Sequence, residues 1–76
     1  MNVFLHTRAS QERDWLNDSR DFARIPVVGE FVATSSSSPW YQVELVVHCP
    51  FECEFDAEVY AVEVDRHTVQ IAAFVG

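Results

Sequence analysis

Nine consecutive residues, Trp40 to His48, constrain the backbone more than any other stretch of this chain. Tyr41, Val43, Leu45 and Val47 fall on one side of the segment, with Gln42, Glu44 and His48 on the other. That period of two belongs to an extended strand, and β-branched and aromatic residues suit a pleated, half-buried surface. Pro50 ends the pattern, because proline brings no N–H to a ladder.

The neighbouring segments follow the same period. Asn2 to Thr7 alternates Val3, Leu5 and Thr7 with Phe4 and His6, giving a strand apolar on both sides. Ile25 to Thr34 gives a second strand, entered through Pro26 and bent at Gly29. Ser35 to Pro39 is a turn. Residues 56–65 form the next strand, but the apolar set changes from Phe55, Ala57 and Val59 to Tyr60, Val62 and Val64. A one-residue slip exchanges faces, so a β-bulge is expected near Val59 or Tyr60. Arg66 and His67 form a tight turn, and Thr68 to Val75 alternates Val69, Ile71, Ala73 and Val75 as a final strand.

Residues 8–24 are polar and lack a period of two. One short helix or ordered loop is expected near residues 9–20, with Ser10 as its cap and Trp15, Leu16 and Phe22 as apolar contacts. The expected product is a mainly β chain, a single domain over residues 1–76. It is a small five-stranded antiparallel barrel or strongly bent sheet.

The run RIPVVGEFV, followed by the serine turn and WYQVELVVH, resembles small SH3-like β-barrel proteins of bacteria and phages. In these, a P-x-x-G-E opening leads into a hairpin whose second strand carries an aromatic residue and then alternating valines. The matching positions are Pro26, Gly29, Glu30, Trp40, Tyr41, Val43 and Val47, and the later EVYAVEV resembles the following strand. The resemblance omits residues 8–24. It implies a barrel fold, and because such barrels share no single activity it implies no catalytic residue.

Charge narrows the class of partner. The formal net charge is −7, and every basic residue apart from histidine is an arginine. Residues 1–24 hold four arginines against four acids; residues 25–76 hold eight acids against Arg66. Such a surface repels phosphate backbones, which argues against direct nucleic-acid binding, and it attracts basic proteins. No segment approaches the roughly 18 apolar residues of a membrane span. The start MNVFLHTR lacks the features of a signal peptide, so a cytoplasmic location is expected. At 76 residues the core is small, which leaves a homodimer open as a way to bury more surface.

Glu52, Glu54, Asp56 and Glu58 stand at every second position and are joined by Glu63 and Asp65. Read functionally, they form one negative surface that docks an arginine- or lysine-rich protein, with Trp40 and Phe51 as aromatic anchors. Read otherwise, the same charges keep an exposed strand from pairing edge to edge. His48, Cys49 and Cys53 give a C-x3-C spacing, looser than the C-x2-C pairs of structural zinc sites. No metal or other cofactor is expected. No nucleophile, base and oxyanion donor converge in the sequence, so no enzyme is expected either.

The functional expectation is therefore a non-enzymatic acidic module that binds a basic protein, itself part of a nucleic-acid-binding complex. A phage or mobile-element inhibitor, such as an anti-CRISPR protein, fits this size and charge. The alternative is a structural or assembly module, a homo-oligomeric β-barrel with no basic partner.

Overall fold

Val3, Leu5, Val32, Val43, Val59 and Ala61 form one small core, and all six lie on strands. The computed structural model describes residues 1–75. The elements are β1 (Asn2–Arg8), β2 (Leu16–Asp21), β3 (Phe31–Ala33), β4 (Trp40–His48), β5 (Ala57–Val64) and helix α1 (Arg66–Val75). The strands make one sheet in the order β2-β1-β5-β4-β3, curled into a half-barrel. The chain is thus mainly β with five strands, but not the five its alternation marks out: β2 falls in the polar segment, and residues 68–75 are helical.

The sheet is mixed rather than antiparallel. β1 and β5 run parallel, from Val3 opposite Ala57 to Arg8 opposite Val62, while the other three pairs are antiparallel. A strand apolar on both sides belongs in the middle of a sheet. β1 takes that place because Val3 and Leu5 serve the core while Phe4 and His6 are covered on the opposite face.

Residues 9–20 do not form the expected helix. Glu12 N–H donates to Ala9 O in a turn, and the chain then returns as β2, antiparallel to β1. All six residues of β2 are exposed. Its strand conformation comes from the ladder that β1 offers, not from a burial pattern of its own. Asp18, Arg20 and Asp21 blunt this outer edge against further pairing.

The expected final strand is helix α1. Asp65 occupies the N-cap position: its carboxylate accepts from His67 N–H at 3.0 Å and from Thr68 Oγ1 at 3.1 Å. Those bonds satisfy donors left free in a first helical turn. They also lower the Asp65 pKa, the Thr68 hydroxyl most and then the backbone N–H groups of His67 and Thr68.

The irregularity expected near Val59 or Tyr60 lies on the partner strand. Val43 pairs with Ala61 and Leu45 with Tyr60, so Glu44 is the extra residue. β5 keeps its phase: Ala57, Val59 and Ala61 are buried, whereas Glu58, Tyr60 and Val62 are only half-buried. β4 changes phase instead. Val43 faces the core, Val46 packs against it, and Leu45 and Val47 turn outward.

The P-x-x-G-E sequence builds the entry to β3. Glu30 N–H donates to Val27 O at 3.1 Å, and Gly29 has φ 95°, the geometry of a type II turn with glycine third. Gly29 N–H donates to Val43 O, and Val43 N–H donates to Glu30 O, so two residues face one in a glycine bulge. The Glu30 carboxylate accepts from Val27 N–H at 2.7 Å and pairs with Arg24. Arg24 and that N–H, in this order, hold the Glu30 carboxyl down at about 2. Phe22 and Ile25, leading into this turn, pack on the core.

Candidate functional site

Asn2, at the start of β1, fixes the loop that joins β4 to β5. Its N–H donates to Asp56 Oδ2 at 2.8 Å and its side-chain amide donates to Glu54 O at 2.7 Å. Asp56 N–H returns to Asn2 O at 2.8 Å, and Cys49 N–H donates to Asp56 O at 3.0 Å. Phe55 stacks on Phe4 with ring centres 4.5 Å apart. Both ends of the loop are thereby tied, and its tip carries Phe51, Glu52, Cys53 and Glu54, all exposed. Phe51 is 65% exposed, unusual for so large an apolar side chain on a chain with few to spare.

The six acids do not gather on one surface. Glu52 and Glu54 project from the tip, which is a loop and not a strand. Asp56 accepts from Asn2, and Glu58 accepts from His6 Nε2 at 3.1 Å. Glu63 and Asp65 lie beyond the far end of that contact, with Asp65 capping α1. Five residue steps of β5 separate Glu58 from Glu63, roughly 17 Å at ~3.3 Å each. Among the described residues, Glu52, Glu54, Asp56, Glu63 and Asp65 form no ion pair. Arg20 pairs with Asp18 and Arg24 with Glu30, and among the described residues neither Arg8 nor Arg13 forms an ion pair with the tip.

Trp40 and Phe51 are not neighbours. They lie at opposite ends of the nine-residue β4, and Trp40 receives the Arg66 guanidinium 4.8 Å from its ring centre. The single arginine among residues 25–76 is thus engaged with an aromatic ring. Phe51 alone of the two expected anchors stands beside Glu52 and Glu54.

A second cluster, centred on His6, lies on the sheet face opposite the core. The His6 ring stacks on Tyr60 at 4.3 Å and meets Phe4 edge-on at 4.5 Å. Trp15 contacts Tyr60 edge-on at 5.4 Å and carries the Arg8 guanidinium at 5.1 Å. His6 is 7% exposed, its Nδ1 pairs with the Asn17 side-chain amide, and its Nε2 serves Glu58. The period of two sets His6 on a covered face of β1 but carries no sign of these partners. Glu58 is the acid whose role it missed, because a carboxylate amid acidic neighbours looks solvated.

Cys49 and Cys53 are separate thiols, the first half-buried and the second exposed. Burial raises the Cys49 pKa, and negative charge at Cys53, Glu58 and Asp56 adds to the effect. That is the reverse of the environment that makes a cysteine nucleophilic. Among the described residues no three His, Cys, Asp or Glu side chains converge as metal ligands. No helix among them is long and apolar enough to cross a membrane.

Fold and site together define a small mixed-sheet half-barrel with a tied, acidic, aromatic loop tip. The chain matches no protein-family model, no curated protein and no solved structure with which it was compared.

Proposed function

We propose that this chain is a non-enzymatic binding module whose loop tip, Phe51 with Glu52 and Glu54, docks on a basic protein. The observation that carries this reading is the contrast within one acidic run. The Asp56 and Glu58 carboxylates accept hydrogen bonds from Asn2 N–H and His6 Nε2, whereas among the described residues the Glu52 and Glu54 carboxylates have no hydrogen-bond or ion-pair partner. They follow an exposed phenylalanine in the same loop, which sets a large apolar side chain beside two carboxylates. The net charge of −7 would steer a basic partner toward the molecule. A site that normally holds phosphates on a nucleic-acid-binding complex has the complementary sign. Occupying it is the work of a phage or mobile-element inhibitor. The resemblance to SH3-like barrels at Pro26, Gly29 and Glu30 is compatible with this role and independent of it.

Immobilised protein tests the reading. Basic proteins captured at about 0.1 M salt should elute as the salt approaches about 1 M, where the screening length falls from ~10 to ~3 Å. They should be lost from Glu52→Ser/Glu54→Ser. Capture that is indifferent both to salt and to this pair of substitutions would contradict it.

A further inference from the structure

Helix α1 is ten residues long, and helices shorter than about 12–15 residues are marginal in water without packing. Among its described side chains only Val69 and Gln70 are half-buried, while Ile71 is 49% and Phe74 is 88% exposed. The helix therefore presents two large apolar side chains to solvent. The sheet has the matching deficiency. The register places Leu45 opposite Tyr60 and Val47 opposite Glu58, on the face away from the core, where they are 51% and 41% exposed. At the neighbouring edge Phe31 is 45% exposed.

The whole-molecule dimensions give the size of what is uncovered. A folded chain of 8.7 kDa exposes about 4,700 Å² by the surface–mass relation. This one exposes 5369 Å², an excess of roughly 600 Å². Each partner in a standard protein interface contributes about 800 Å². The radius of gyration is 12.9 Å against about 11 Å expected for a compact domain of this length, and the long axis reaches 43 Å. An extended shape with a missing area close to one interface share is what a subunit looks like without its neighbour.

We propose that the occupant is a second copy of this chain: α1 of each protomer covers the outer sheet face of the other, around Leu45 and Val47, in a two-fold reciprocal dimer. Self-association suits the apolar character of both surfaces. A membrane surface suits them less, since Arg66 and His67 are the only basic residues of the helix and the chain carries −7. Ile71 and Phe74 supply the knobs, and the opened second half of β4 supplies the seat.

Light scattering and sedimentation on the intact chain should give twice the 8.7 kDa chain mass. The helical circular-dichroism signal should fall on dilution in step with that mass. Ile71→Ser/Phe74→Ser and, separately, Leu45→Ser/Val47→Ser should each yield monomers. The four positions are exposed, so the sheet signal should persist in both variants. Mixing the two variants should restore a dimer, because the mixed pair keeps one intact helix-on-sheet contact. A wild-type monomer, a dimer unmoved by either pair, or a mixture no better than its components overturns the proposal. So does a monomer that binds anionic vesicles through Phe74.

Discussion

His6 and Glu58 meet diagonally across the parallel pair of strands, Nε2 to Oε1 at 3.1 Å, with Glu58 in register with Phe4. With Asn17 on its other nitrogen, one buried ring links β1 to β5 on one side and to the edge strand β2 on the other. β2 has no apolar anchor of its own: Leu16 is 71% exposed, and every other side chain of the strand is polar and exposed, with Ser19 bonded to Asn2 and Asp21 to the Met1 amino group. Polar contacts and ladder bonds, not apolar burial, hold that edge.

Removing the carboxylate should therefore loosen β2. Glu58→Ala leaves a buried ring N–H without its acceptor, a loss of about 1–3 kcal/mol. Urea denaturation should show it, and β2 amides should exchange faster than those of β4. Glu54→Ala, at the exposed tip, should stay within about 0.5 kcal/mol. Equal effects from the two substitutions would count against a structural role for Glu58.

Gly29 offers a clean separation of backbone strain from packing. A Cβ at this position would meet nothing within 4 Å, yet φ is +95°. Gly29→Ala should cost about 1–2 kcal/mol from the left-handed backbone alone. Gly29→Asn should cost less, since asparagine tolerates that region better. Denaturant midpoints decide; an alanine variant as stable as wild type would mean that the turn relaxes.

Glu30 should make part of the stability acid-sensitive. Its carboxyl is lowered from 4.5 to about 2, by Arg24 first and then by Val27 N–H. A depressed carboxyl stabilises the fold above its ordinary pKa. That contribution is lost as pH falls from about 5 toward 2. A carboxyl titration followed by NMR should place Glu30 well below the ordinary carboxylate range. In Arg24→Ala its midpoint should rise toward the ordinary range, and an unmoved midpoint would contradict the pairing.

At the other end of β5, Asp65→Ala should release the first turn of α1. Loss of an N-cap costs about 0.5–2 kcal/mol. The helical dichroism signal should drop while the sheet signal stays, and Asp65→Asn or Asp65→Ser should recover most of it. If alanine leaves the helical signal intact, the cap is not what starts the helix.

β1, β4 and β5 were legible because their apolar side chains recur at every second position. β2 was not, since LNDSRD buries nothing and follows a neighbour's ladder. α1 was concealed by Val69, Ile71, Ala73 and Val75, whose spacing imitates a strand. The informative signal there was Asp65 with Thr68 three residues on, a helix start that also explains why the strand pattern stops. The apparent slip in β5 had another origin. Both faces of that strand are covered, one by the core and the other by His6 and Trp15, so alternation no longer distinguishes them. The extra residue, Glu44, sits on β4, where regular alternation continued through it and hid the change of face. Of the acidic run, spacing gave the positions but not the division between tip, clasp and cap. That division depends on Asn2, His6 and Thr68, which lie outside it.

That division is tested most directly by two paired substitutions in one experiment: Glu52→Ser/Glu54→Ser and Asp56→Ser/Glu58→Ser, each followed by thermal unfolding and by titration with an arginine-rich peptide at low salt. The tip pair should melt with wild type and bind the peptide more weakly, while the second pair should melt lower. A tip pair that binds as wild type does, or a second pair that melts unchanged, would contradict the account.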